Sequence, residues 1–208
     1  MAADGRQVTA GRLLVTVDPN AIDRSFVRRS SWDKLRFGLN GLGQPEMLRS
    51  GSWDRRTIPV TQHPGYRLIR ELADNQFEPE ASHETLVRYF RDKGRSVDRA
   101  SRKAAEEGDA YIRQYHALFQ SMKASGYVPN LAADEIGLAV DREGRWVKVP
   151  NGNHRFHTAL VLGLSLVTAE VRFVHRRWIL ARSGPGPADM RSRIAYQLQE
   201  NGVQPYWC

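Results

Sequence analysis

The segment at residues 151–158, Asn-Gly-Asn-His-Arg-Phe-His-Thr, carries the residues whose types and spacing best suit binding chemistry. Gly152 tolerates a positive φ and close approach by a ligand. Asn153 can cap a following helix, and Arg155 in its first turn can donate parallel hydrogen bonds to phosphate oxygens. Cations are unfavourable at a helix start, so His154 and Arg155 there indicate an anionic ligand. We therefore predict a phosphate-binding turn; the alternative is a tight turn whose cations are solvated or paired with a carboxylate.

A turn of this kind joins a strand to a helix, and the neighbouring sequence predicts both. Residues 136–140 and 145–149 alternate in character around a turn at 141–144, which predicts a β-hairpin. The helix after the turn is predicted to run from His154 to Leu162, because Gly163 then ends it. The turn should therefore project from the end of the hairpin.

The other predicted elements support this corner. The third helix ends at Gly126, and its polar first half, 99–109, is predicted to face solvent. Ser82 is the predicted N-cap of the second helix. The predicted elements are a short strand or extended arm at 12–17, helices at 65–73, 82–93 and 97–125, a strand at 169–174, and a last amphipathic helix that contains Met190 and Leu198.

The order of these parts resembles the ParB/sulfiredoxin-like superfamily. The Gly-x-His-Arg signature at Gly152, His154 and Arg155 carries the resemblance, which is clear over residues 122–175 and weaker from about residue 51. In the weaker part, Trp53-Asp54, Ile58-Pro59 and His63-Pro64-Gly65-Tyr66 look like the opening segment of an uncharacterised ParB-like branch. The resemblance implies an α+β fold, a small mixed sheet with additional helices.

The resemblance also implies a nucleotide ligand, because ParB proteins hydrolyse CTP, sulfiredoxins use ATP, and a kinase branch phosphorylates free serine. Gly152, Asn153, His154 and Arg155 would form the phosphate cradle. One helical step further on, His157 and Thr158 could contact a phosphate or a magnesium-bound water. Asn153 replaces the reactive cysteine of sulfiredoxins, which excludes sulfinic acid reduction. We expect no helix-turn-helix after Val174, and so no sequence-specific nucleic-acid partner.

The expected function is nucleotide-dependent phosphotransfer from ATP, ADP or CTP to a small hydroxylated metabolite. Asp54 and His154 are the candidate catalytic residues, with Asp54 as a general base where the kinase branch carries an acidic residue. The alternative role of Asp54 is that of a turn or cap residue after Trp53. The rival function is a nucleotide-dependent switch or a DNA-associated accessory protein without metabolite chemistry.

The composition of the chain limits the possible partners and the cellular compartment, but it does not distinguish between the two expected functions. The chain has 31 Lys and Arg residues against 23 acidic ones, a net charge of +8 that favours anionic partners or simply keeps the surface soluble. The His154 and His157 pair lacks a third ligand nearby, so magnesium is expected to arrive with the nucleotide. Cys208 is the only cysteine, and no signal peptide or membrane span is visible, which predicts a cytoplasmic protein without a membrane partner.

The predicted domain organisation has three parts. Residues 1–50 form a loop-rich N-terminal extension, and residues 51–180 form the ParB-like core domain. A helical insertion at 82–125 lies within that core. Residues 181–208 form a C-terminal helix and tail.

Overall fold

A computed structural model describes residues 11–26, 47–131, 134–182, 187 and 189–207. Eight strands within these residues form one mixed sheet, in the order β4-β2-β6-β5-β7-β1-β8, with β3 pairing separately with β7. The strands are β1 (Leu13–Val17), β2 (Arg24–Phe26), β3 (Leu48–Arg49), β4 (Thr57–Pro59), β5 (Ile136–Val140), β6 (Trp146–Lys148), β7 (Val167–His175) and β8 (Pro205–Trp207).

The centre of the sheet is β5, whose five residues are all buried. A strand that is buried on both faces needs an apolar run rather than alternation, which Ile-Gly-Leu-Ala-Val supplies. β5 runs antiparallel to β6 and parallel to β7, so the predicted hairpin is confirmed. β6 in turn pairs in parallel with β2. The sheet is therefore mixed, and the predicted α+β class is confirmed.

Six helices surround this sheet in the described residues. Each of the first four matches a periodic segment or a glycine stop in the sequence, and α3 begins and ends where its pattern predicts. They are α1 (Pro64–Asp74), α2 (Pro79–Asp92), α3 (Val97–Ser125), α4 (Asn153–Val161), α5 (Arg176–Ala181) and α6 (Met190–Glu200). No helix among the described residues combines the length and the apolar character needed to cross a membrane.

Two hydrophobic cores hold these layers together. One lies between the sheet and the packed face of α4, and Leu138 and Phe156 are fully buried in it. The other fills the space between α1, α2 and α3, where Leu72 and Leu86 are fully buried. A third, smaller cluster around Trp53 and Phe173 covers the opposite face of the sheet. The turn before α4 therefore lies where the sheet meets the helical layer.

The structure differs from the sequence predictions at two helices. α2 begins at Pro79 rather than at Ser82, because proline fits the first helical position and Glu78 precedes it as the cap. Ser82 is fully buried inside the helix instead of capping it. The first half of α3 does not simply face solvent, since Ala100 and Ala104 are buried against α2. Small residues give α3 a packing face that a count of apolar side chains misses.

Both ends of the described chain join the sheet. β1, from the region that we assigned to the N-terminal extension, pairs along its length with β7. β2 lies between β4 and β6. β8, from the predicted C-terminal tail, adds to the far edge beside β1. Hydrogen bonding in the sheet thus extends beyond the predicted core boundaries at 51 and 180.

Candidate functional site

The turn before α4 has a backbone that requires glycine. Asn151 and Gly152 both have positive φ, at 88° and 62°, and α4 begins at the next residue. A Cβ atom on Gly152 would lie 2.7 Å from the Cα atom of Ile136 and 2.9 Å from the carbonyl oxygen of Glu135. The turn therefore packs directly on the start of β5, and a side chain at Gly152 has no space.

The first turn of α4 lacks a side-chain cap. Gly152 is the N-cap residue, so no side chain accepts a hydrogen bond from the N–H groups of the first turn, and that turn has no acidic residue. Uncapped N–H groups and the positive end of the helix dipole together attract an anion. Asn153 was predicted as the cap but is the first helical residue, and its Oδ1 accepts a hydrogen bond from Lys148 instead.

Lys148 is a buried cation beneath the turn. Its side chain has no exposed surface, and its Nζ donates to the carbonyl oxygen of Asn151 at 2.7 Å, to Oδ1 of Asn153 at 2.6 Å and to the carbonyl oxygen of Val149. Burial, and then the charge of Arg155, lowers the pKa of Lys148 to about 7. Three carbonyl acceptors match the three donors of an ammonium group and favour the charged form. An anion nearby would favour it further.

His154 is held from the side by the helical layer. Its Nε2 lies 3.0 Å from the hydroxyl oxygen of Tyr115 in α3, and the two rings meet edge to face with centroids 4.9 Å apart. Burial lowers the pKa of His154, with smaller contributions from the charges of Lys93 and Lys148. The imidazole is therefore predominantly neutral at neutral pH.

Arg155 is paired with a buried carboxylate. Its Nη1 lies 3.4 Å from Oε2 of Glu135, and its guanidinium lies 5.5 Å from the centre of the Tyr127 ring. Glu135 is fully buried and accepts further hydrogen bonds from the Tyr127 hydroxyl and from the N–H of Asn130, the latter at 2.6 Å. The pairing with Glu135 agrees with the alternative interpretation of the turn, in which Arg155 is paired with a carboxylate instead of a ligand. The contact is long for a charged hydrogen bond, so the guanidinium can reorient toward a phosphate.

The side chains of His157 and Thr158 are buried, so neither is exposed to a ligand at the protein surface. Neither ring nitrogen of His157 nor the hydroxyl of Thr158 has a hydrogen-bond partner among the described residues, although both side chains are buried. The His157 ring lies 4.5 Å from that of His63, centre to centre. His63 caps α1, with its Nδ1 accepting from the N–H of Gly65 at 3.0 Å.

Together these groups form a basic cluster, which we define as His63, Lys93, Lys148, His154 and His157. Burial, and to a smaller extent the neighbouring basic groups, lower the pKa of His63 to about 4 and that of His157 well below its usual range. Within the described part of the chain, no carboxylate contributes to the pKa shifts of the five cluster residues. The three imidazoles are mainly neutral at neutral pH, so the positive charge of the cluster comes from its lysines, and an anion nearby would favour their ionised forms.

The structure does not bring Asp54 to this cluster. Arg142 holds Asp54 in a two-pronged ion pair, with Nε at 2.5 Å from Oδ2 and Nη2 at 2.6 Å from Oδ1. Arg142 lies just beyond the last residue of β5, whereas Gly152 packs on the first. Burial opposes ionisation of Asp54, but the hydrogen bonds and the charges of Arg142 and His175 outweigh it and lower its pKa. Asp54 therefore joins the β5–β6 turn to the preceding segment.

Of the predicted site residues, Gly152, Asn153 and His154 form the start of α4, Arg155 pairs with Glu135, and His157 and Thr158 are buried. Four residues that the sequence analysis did not assign to the site also belong to these contacts: His63, Lys93, Lys148 and Tyr115. Lys148 could have been noticed as a charged residue next to the turn in an otherwise buried strand. Tyr115 and Lys93 gave no local signal, because they belong to other helices. The uncapped start of α4 offers N–H donors to an anion, whereas the absent Cβ at Gly152 is explained by close packing on the start of β5. The described residues contain no group of three or more His, Cys, Asp or Glu side chains that could hold a metal ion.

Comparison of the chain with protein-family models, with curated proteins and with solved structures finds no match. The ParB/sulfiredoxin-like assignment and the activity that it implies therefore remain hypotheses, supported by the residues themselves.

Proposed function

We propose that this protein binds a nucleotide through its phosphates at the start of α4 and transfers a phosphoryl group to a small hydroxylated metabolite. The observation that carries the proposal is the basic cluster beside the uncapped start of α4. No carboxylate among the described residues contributes to the lowered pKa values of its histidines. A ligand that carries several negative charges would favour the ionised forms of Lys93 and Lys148 and would accept hydrogen bonds from the N–H groups of the first turn of α4. ATP, ADP and CTP are the candidate donors, and magnesium would be held by their phosphate oxygens.

Phosphoryl transfer suits such a site because its chemistry depends mainly on positioning and on neutralising charge. In this proposal the N–H groups of the first turn and His154 bind the phosphates, and the charge of the buried Lys148 attracts them from beneath the turn. Arg155 leaves Glu135 to take a share of their charge. Bound magnesium would supply further neutralisation between phosphate oxygens. Asp54 is not part of this proposal, because its carboxylate is occupied by Arg142.

Space for an acceptor lies next to the cluster. A cavity of about 400 Å³ is lined by Tyr66 and Leu160 on its helical side and by Asp23 and Arg24 on its strand side. Cavities of this size hold small metabolites. The Tyr66 ring also contacts His157, 6.4 Å away between ring centres, so the cavity adjoins the cluster. Its mixed polar and apolar lining supports a small hydroxylated acceptor, and Asp23 offers a carboxylate that could accept the hydroxyl proton.

Nucleotide binding is tested by calorimetric titration with ATP, ADP, CTP and GTP, each with and without magnesium. We expect one nucleotide to bind and to raise the unfolding temperature, because a ligand of the native state stabilises it. The transfer step is tested by incubating labelled nucleotide with pools of hydroxylated metabolites. Label on a metabolite supports the proposal. Absence of nucleotide binding contradicts it, and binding without transfer, together with a change in oligomeric state, favours the switch.

A further inference from the structure

We propose that Tyr115 is a positioning residue that fixes His154 as the tautomer with its proton on Nδ1, so that a neutral imidazole presents an N–H donor to the ligand. The consequence for ligand binding rests on the proposed function, whereas the tautomer itself is a property of the free protein. Tyr115 lies 39 residues before His154 in the chain, on the longest helix of the described residues. The helical insertion thus supplies part of the phosphate site.

The contact is well placed to restrain the ring. The hydroxyl oxygen of Tyr115 lies 3.0 Å from Nε2 of His154, and the rings cross at 65° with their centres 4.9 Å apart. Tyr115 is itself only 3% exposed, packed among Leu86, Phe90 and Ile112 in the helical core. A phenol held on all sides keeps its hydroxyl in one place, so it determines which nitrogen of His154 is engaged.

The chemistry of the two groups sets the direction of this hydrogen bond. A phenol donates strongly but accepts weakly, because its oxygen lone pair is delocalised into the ring, whereas an unprotonated imidazole nitrogen is a strong acceptor. Burial and the neighbouring phenol of Tyr89 raise the pKa of Tyr115, so its hydroxyl retains the proton. Tyr89 also forms a hydrogen bond with Tyr115, and if Tyr89 donates in that bond, the Tyr115 proton is directed at His154. We therefore infer that Tyr115 donates to Nε2. The proton of neutral His154 is then on Nδ1.

This tautomer suits an anion at the helix start. Part of His154 is exposed to solvent, and the hydrogen bond to Tyr115 engages Nε2 and not Nδ1, so Nδ1 is the nitrogen left for a ligand. An Nδ1–H group beside the uncapped first turn adds a donor without adding a buried charge. If Nε2 carried the proton instead, Nδ1 would direct a lone pair at the phosphate and repel it. The Nδ1 atom of a neutral histidine can be a hydrogen-bond donor or an acceptor, depending on the tautomer. Tyr115 therefore fixes Nδ1 of His154 as a donor.

The decisive measurement is the tautomer of His154 in the ligand-free, full-length protein, from long-range ¹⁵N–¹H correlation spectra at about pH 8, where histidine is neutral. We expect the Nδ1–H form, which is the minor form of free imidazole side chains in water. In Tyr115→Phe we expect the Nε2–H form to predominate. Tyr111→Phe is the matched control, because it removes a phenol from the same helix without contacting His154. An Nε2–H tautomer in the unsubstituted protein overturns the proposal.

Titration with inorganic phosphate separates this inference from the proposed function. We expect Tyr115→Phe to weaken phosphate binding about five- to tenfold, the effect of one hydrogen bond, and Tyr111→Phe to leave it unchanged. Circular dichroism confirms that both variants fold. If His154 has the Nδ1–H tautomer but neither phosphate nor nucleotide binds, the proposed function fails and the positioning role stands. If phosphate binds equally well to Tyr115→Phe, the inference fails and the proposed function stands.

Discussion

Lys148 and Asn153 are joined by a hydrogen bond of 2.6 Å from Nζ to Oδ1, which connects the last residue of β6 to the first residue of α4 across the turn. The bond brings a buried cation to the point where the helix dipole is also positive. Both features favour an anion, and neither is offset by a carboxylate in the cluster. The buried Lys148 thus lies directly beside the uncapped start of α4.

The affinity for sulfate should fall as pH rises through about 7. The reason is that burial lowers the pKa of Lys148 to about 7, so its positive charge is present below that pH and is lost above it. His63 and His157 have lower pKa values and contribute little to a change in this range. Sulfate is the probe because its own charge is constant there. Calorimetry at several pH values measures the effect, and Lys148→Met should bind weakly with no step near pH 7. A step of the same size in Lys148→Met would contradict the assignment.

Arg155→Ala should weaken nucleotide binding by about 1.5–3 kcal/mol, the range of a charge-assisted hydrogen bond. Glu135→Gln should have the opposite effect and strengthen binding, because it removes the negative charge that now holds the guanidinium. Arg70→Ala is the control, since Arg70 pairs with Asp74 on the exposed surface of α1. Isothermal titration of the three folded variants gives the comparison. Equal affinity in all of them would remove Arg155 from the site.

Gly152→Ala should destabilise the protein more than Gly163→Ala. Both glycines have nearly the same positive φ, 62° and 66°, so the cost of the left-handed backbone, about 1–2 kcal/mol, is shared. Only Gly152 also meets backbone atoms, with Ile136 Cα at 2.7 Å, whereas a Cβ on Gly163 meets nothing within 4 Å. Denaturant unfolding of the two variants measures the difference. Equal losses would show that the turn can move away from β5.

Asp54→Asn should lower the free energy of unfolding by about 3 kcal/mol and leave nucleotide affinity unchanged, because it leaves the largely buried Arg142 without its carboxylate. The pKa of Asp54 is lowered in the folded protein, so its contribution is present above the unfolded pKa near 3.8 and is lost as pH falls below it. Asp74→Asn, at an exposed pair, is the control. A loss of phosphoryl transfer in a stable Asp54→Asn protein would restore Asp54 as a base.

Lys93→Gln should weaken the binding of a nucleoside triphosphate more than that of a monophosphate. Lys93 follows the last residue of α2, and its charge lowers the pKa values of His63, His154 and His157, so it acts on the same cluster as Lys148. A longer phosphate chain can reach both lysines. Lys123→Gln, on an exposed face of α3, is the matched control. Competition assays with mono-, di- and triphosphates decide the point, and a uniform loss across the three would argue against a role for Lys93 at a distal phosphate.

Local rules determined much of the fold from sequence alone. Gly126 ends α3 with a φ of 68°, as its position after an apolar repeat predicts. The hairpin of β5 and β6 follows from alternation around a short turn, and α4 follows from the glycine corner before it. Each of these features depends on residues within a few positions of one another. The turn at 151–158 could be predicted for the same reason, since all its parts are adjacent in the chain.

The composition of the site was decided only by tertiary structure. Tyr115 reaches His154 across 39 positions, and Asp54 reaches Arg142 across 88, so no local pattern records either contact. The same is true of β1, which the sequence predicts as a short strand or extended arm without indicating its place between β7 and β8. Partners so distant are selected by packing of the whole sheet and helical layer, because burial makes an unpaired charge or hydroxyl costly wherever the chain places it. The sequence therefore determined the turn at which we propose phosphate binding, and the folded chain decided which side chains surround that turn.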